Sequence, residues 1–136
     1  MFNNKKQPAI RSLIANGSHI TGNIRFTDGL RIDGVMVGDI SAEEGRSSLL
    51  VISETASVTG AVHADHIIIS GAVNGPVHAR VLLELQPKAK IEGDVHYLAL
   101  EMHQGAIIAG QLRPAGRRRF LQAGLRLAAI GFQFLE

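Results

Sequence analysis

Apolar and small side chains fall at every second position through Leu30, Ile32, Gly34 and Met36 to Gly38, and Ile40 and Ala42 continue the same parity. A period of two marks an extended strand, whose side chains alternate between opposite faces. The arrangement recurs around Gly75, with Ile67, Ile69, Gly71 and Val73 before it and Val77 and Ala79 after. A variant with two further residues surrounds Gly60 (Leu50, Ile52, Ala56, Val58, then Val62, Ala64). The same variant surrounds Gly93 (Leu83, Leu85, Ala89, Ile91, then Val95, Tyr97) and Gly110 (Leu100, Met102, Ala106, Ile108, then Leu112). Gly22 fits the series, between Ile14, Ser18 and Ile20 on one side and Ile24 and Phe26 on the other.

Successive marker glycines (Gly22, Gly38, Gly60, Gly75, Gly93, Gly110) stand 16, 22, 15, 18 and 17 residues apart. Such a unit is too short for a helix pair and longer than one strand, so it must hold several short strands separated by bends. The alternating sets split into three, as in Leu83-x-Leu85, Ala89-x-Ile91 and Gly93-x-Val95. Three strands per turn predict a triangular coil, with successive coils stacked in parallel about 4.8 Å apart. The expected fold is therefore all-β: a single-domain parallel β-helix of about six coils over residues 12–113, between tails at 1–11 and 114–136. The polar run Glu43-Glu44-Gly45-Arg46-Ser47-Ser48 in the 22-residue interval should bulge outward, and Pro76 and Pro87 sit near bends, where a missing donor matters least. A left-handed hexapeptide helix of the acyltransferase kind has a similar coil length but a stricter cadence of six. The variable intervals and the Leu-x-Leu pairs favour a right-handed coil.

Composition suits thin stacked strands: 15 Gly, five Phe, one Tyr and no Trp. With no Cys there is no disulfide framework or thiolate metal site, as in a reducing compartment. The start lacks the apolar core of a secretory signal, and no apolar run reaches a membrane span, so a cytoplasmic protein is expected. The net charge of +2 is concentrated at the ends, in Lys5, Lys6 and Arg11 and in Arg113, Arg117, Arg118, Arg119 and Arg126.

Residues 1–11 carry no strand pattern and are expected to be disordered until bound. Met1 and Phe2, followed by Lys5 and Lys6, combine an apolar plug with attraction to anionic headgroups. Each Lys near such a surface is worth about 1 kcal/mol, and a polymer displaying many copies binds through high effective concentration. The alternative is an ordinary frayed terminus. Beyond Pro114-Ala115-Gly116, Arg117 to Leu135 read as a helix without a clean apolar face. Three fates stay open for this tail: disorder, folding against the end of the coil, or lying in a membrane interface.

A β-helix has two open ends, each with unpaired backbone over an aliphatic core, and such edges recruit other strands. The expected contacts are Ile14, Ile20 and Ile24 at one end and Leu100, Met102, Ile108 and Leu112 at the other. Nothing before Ser12 resembles the polar terminal unit that keeps a solenoid monomeric.

Catalytic chemistry is sparse. His63, His78 and His96 each follow a marker glycine by three residues and should form an outward column. Three imidazoles can bind zinc, but a flat face supplies neither recess nor second shell, and a solvated ladder is the better reading. Glu84 and Glu101 share an outward column without a pocket to shift their acidity. There is no Gly-x-x-x-x-Gly-Lys loop and no Cys nucleophile, and the arginines at 117–119 lack the aromatic platform of a nucleic-acid binder.

Leu30-Arg31-Ile32-Asp33-Gly34-Val35-Met36-Val37-Gly38-Asp39-Ile40, with Ala56-Ser57-Val58-Thr59-Gly60 and Ala89-Lys90-Ile91-Glu92-Gly93-Asp94-Val95, resembles the bactofilin family of bacterial cytoskeletal proteins. The resemblance covers about Ser12 to Leu112. It implies a right-handed triangular β-helix that polymerises end to end, without nucleotide or other cofactor, into non-polar filaments. It also implies membrane binding through an N-terminal tail like Met1-Phe2-x-x-Lys5-Lys6, and a scaffold for envelope or peptidoglycan-modifying proteins at the inner membrane. Ile108 departs from the family, whose last coil often has an aromatic there. The competing class is a β-helical enzyme, either an acyltransferase or a zinc hydratase of the gamma carbonic anhydrase type built on the histidine column.

Overall fold

The computed structural model describes residues 8–115 and 133–135 of the chain, which form strands, turns and bends without a helix. Strands run along three sides of a prism. The first face carries β1 (Ile10–Ile14), β4 (Gly29–Ile32), β7 (Leu49–Ile52) and the C-terminal parts of β9 (Val62–Ile69), β11 (Val77–Leu85) and β13 (Val95–Met102). The second is built from β2 (His19–Thr21), β5 (Val35–Val37), β8 (Ser57–Thr59), β10 (Ala72–Asn74), β12 (Lys90–Glu92), β14 (Ile107–Ala109) and β16 (Gln133–Leu135). The third holds β3 (Ile24–Phe26), β6 (Ile40–Ala42), the N-terminal parts of the three long strands and β15 (Leu112–Pro114). β11 serves two faces because it bends where its register shifts, between Ala79 and Leu82. Chain order thus winds through the three faces about six times, and every pairing on the way is parallel: a β-solenoid.

Alternation decides what lies inside. Ile32, Ile52, Ile69 and Leu85 stand one above another in register and are fully buried, with Ile14 below them and Met102 above. On the second face the inner column is Met36, Val58, Val73, Ile91 and Ile108, each at most 1% exposed. Burying one such side chain contributes roughly 1.5–3 kcal/mol, and no layer has a core of its own without its neighbours.

The marker glycines stand where the chain turns from the second face to the third. The polar run at 43–48 leaves the coil as a turn, with Glu44 to Ser47 exposed. Ser48 ends it, buried, with its hydroxyl accepting the Asp65 N–H at 2.9 Å and its carbonyl accepting the His66 N–H at 3.0 Å. The excursion is therefore tied to the next coil, and β7 returns into register with β4 and β9.

Candidate assembly interface

At the first end, β1, β2 and β3 each have a neighbour on one side only, namely β4, β5 and β6. A row of main-chain donors and acceptors on all three sides is left without strand partners among the described residues. Behind that row Ile14 is 8% exposed, while Ile20 and Ile24 are half-buried against the core. The three residues assigned to this end from the sequence thus lie together over the open coil.

The opposite end is built differently. Leu100 and Met102 belong to β13 and are 8% and 5% exposed, and Leu112 on β15 is half-buried. Ile108 is fully buried, and its strand is not the outermost rung: β16 pairs with β14 in parallel, with Ile108 opposite Phe134. Among the described residues no strand follows β13 on the first face or β15 on the third at the far end, and the second carries an extra strand. The helical reading of Arg117 to Leu135 does not extend to Gln133–Leu135, because the free edge of β14 gives an extended segment the main-chain partners that a helix would otherwise supply internally. Residues 116–132 lie outside the described residues. The signal for β16 was in the sequence: Phe132-Gln133-Phe134 follows Gly131 as Ala106-Ile107-Ile108 follows Gly105.

The three outer faces differ in chemistry. On the third, His63, His78 and His96 are in register and their rings stack at centroid distances of 4.3 and 4.1 Å, tilted by 16° and 21°. Burial, aided by the flanking His63 and His96, pushes the His78 imidazole down to about 4, so it is neutral near pH 7. Stacked rings hold their nitrogens in parallel planes and do not converge on a point. No cluster of three or more His, Cys, Asp or Glu with the arrangement to hold a metal ion occurs among the described residues. Above the column, Arg113 pairs with Asp94 at 3.1 Å. The Gln111 N–H, and after it Arg113, hold the Asp94 carboxyl below the usual carboxylate range. The open hollow beside these rings, about 410 Å³, is lined among the described residues by His78, Arg80, His96, Tyr97 and Arg113, and its two arginines are each paired with a carboxylate, Arg80 with Asp65 at 2.6 Å and Arg113 with Asp94 at 3.1 Å. Glu84 and Glu101 stand in register on the first face. Met1, Phe2, Lys5 and Lys6, the expected membrane-binding residues, lie outside the described residues. Among the described residues no helix is long and apolar enough to cross a membrane.

A family model described as bactofilin, polymer-forming cytoskeletal, matches residues 12–113. The chain belongs to the bactofilin family. Searches of curated proteins and of solved structures returned no match. Residues 12–113 of this bactofilin coincide with the stacked coils from within β1 to within β15, so the family pattern and the prism are one object. As a polymer-forming cytoskeletal family, bactofilins give the two ends a reason to be open.

Proposed function

We propose that this bactofilin self-assembles by stacking coil ends into nucleotide-free, non-polar filaments, and that the filaments scaffold cell-shape or envelope machinery at the inner face of the cytoplasmic membrane. The observation that carries the reading is the first end, where, among the described residues, three strands leave their edges unpaired over an aliphatic core with no polar layer above them. Unpaired edges of this kind associate unless covered, and a second copy of the same end covers both. Contacts through Ile14, Ile20 and Ile24 at one joint and Leu100, Met102 and Leu112 at the other give a filament, while Ile108 supports the second joint from beneath β16. The polymer holds its machinery in place and catalyses nothing itself. Met1, Phe2, Lys5 and Lys6 supply the membrane contact, strengthened by repetition along the polymer.

Negative-stain microscopy in buffer without nucleotide tests the assembly. Filaments are expected, and fields of discrete particles would overturn the reading. Removing residues 2–6 should abolish co-sedimentation with anionic liposomes while sparing filaments. Undiminished pelleting with lipid would remove the tail from the proposal.

A further inference from the structure

The first face carries a column of outward residues in strict register: Leu13, Arg31, Val51, Ile68, Glu84 and Glu101, one from each coil. Charge is distributed unevenly along it. Arg31 is in the second coil, apolar Val51 and Ile68 occupy the third and fourth, and carboxylates follow in the fifth and sixth. Leu13 is 58% exposed, and Val81, at the edge of the same face, is 41% exposed.

We propose that this face is a lateral contact through which two solenoids pair side by side and antiparallel. A two-fold axis in the contact plane, crossing the column between Val51 and Ile68, reverses the coil order of the partner. It sets Val51 against the partner's Ile68, Arg31 against the partner's Glu84 and Leu13 against the partner's Glu101. Two-fold contacts of this kind are self-complementary by construction. Here the four inner positions match: apolar meets apolar at the centre and each arginine meets a carboxylate, while Leu13 and Glu101 meet at the rim of the contact. Arg31 uses its Nε–H on Asp33 at 2.9 Å, which leaves its terminal amino groups for the partner. The same operation on the third face puts Arg25 against Arg113 and stacks histidine on histidine, and on the second face it puts Val35 against Lys90. Among the described residues the first face alone gains a pair of opposite charges from this operation.

The inference deepens the filament reading by adding a side-to-side contact to the end-to-end one, and it is testable apart from it. The chain has no cysteine, so V51C and I68C chains each carry one thiol on the outer face. Mixed under mild oxidation, they should yield the V51C–I68C disulfide in several-fold excess over either homodimer. R31E in both chains should cut that yield about tenfold by setting Glu against Glu84, and R31E with E84R should restore it. Circular dichroism checks that each variant is folded. Filaments that form without the mixed disulfide overturn the lateral contact and leave the end contacts standing. A mixed disulfide without filaments does the reverse. Protection of the V51C thiol from a soluble maleimide only when anionic vesicles are present would assign the face to a lipid surface and overturn the proposal.

Discussion

Gly75 stands directly over Gly60, so closely that a Cβ on Gly75 would collide with the carbonyl oxygen of Gly60. The Gly75 N–H meanwhile donates upward to the Glu92 carbonyl at 2.8 Å, so the corner is fixed by main chain from above and closed by main chain from below. With φ at 150°, the backbone there also lies where side chains are strained. Gly75→Ala is expected to destabilise the fold by about 3 kcal/mol or more, because neither obstacle is a flexible group. Thermal unfolding of the purified variant measures it, and a shift equal to that of an exposed-loop Gly→Ala would refute the ladder.

Gly22 is the same corner in the first coil, with φ at 130° but no atom of the described residues within 4 Å of where its Cβ would be. In the other corners the Cβ direction points back at the preceding marker glycine, so at Gly22 it points out of the open end. Gly22→Ala should therefore cost about 1–2 kcal/mol of strain and leave a folded chain whose filaments are absent or short in negative stain. Normal filaments from a folded variant would show that no second copy continues the glycine ladder there.

How much of this was legible in the sequence follows from the range of each interaction. Strand period and marker glycines are local demands of the backbone, so Ile32 and Ile52 could be placed inside, and His63, His78 and His96 in one column, from spacing alone. The anchoring of the loop by Ser48 was not legible, since nothing in Ser47-Ser48-Leu49 says which hydroxyl turns inward to meet Asp65. Strand β16 is only half legible: Phe132-Gln133-Phe134 after Gly131 repeats an earlier spacing, but its basic, leucine-rich approach reads locally as helix, and the edge it pairs with exists only once six coils are wound. The opposition of Arg31 and Glu84 is likewise invisible until the register assigns them coils equally far from the middle.

The histidine column makes stability depend on pH. Unfolded, the His78 imidazole takes a proton near 6.5, whereas folded it does so only at about 4. Between those values the unfolded chain holds the extra proton, so stability falls as pH drops from about 6.5 to about 4 and levels off below. Allowing for solvent screening at a half-exposed site, the loss is about 1 kcal/mol. Asp94, also lowered in the fold, adds a loss of the same sign, but only as pH falls below its ordinary 3.8, so the two windows are separate. Melting temperatures between pH 7 and pH 4.5 should fall less steeply in His78→Gln than in the parent. Parallel curves would place the pH dependence elsewhere.

Tyr97 is 1% exposed, and its hydroxyl has no hydrogen-bond partner among the described residues. Burial pushes its acidity away from the usual range, up to about 12. A buried hydroxyl without a partner gives up its water bonds and gains nothing, so removing it at constant ring volume is favourable. Tyr97→Phe should raise stability by about 1 kcal/mol. A loss of stability in chemical denaturation would reveal a partner for the hydroxyl.

Strand β16 sits where a second copy would have to add its strand on the second face, since an edge accepts one neighbour and β14 already has one. Its three rungs make it a short cover, while among the described residues no strand follows β13 on the first face or β15 on the third. Removing residues 133–136 exposes the β14 edge over Ile108 and frees the second face of that end, which strengthens edge pairing between copies. The concentration at which the chain begins to sediment as polymer should fall several-fold, with the melting temperature of the coils changed little, because the aliphatic columns beneath β14 are complete without β16. If the truncated chain instead fails to sediment at any concentration while remaining folded, β16 is a binding strand of the joint and not a cover over it.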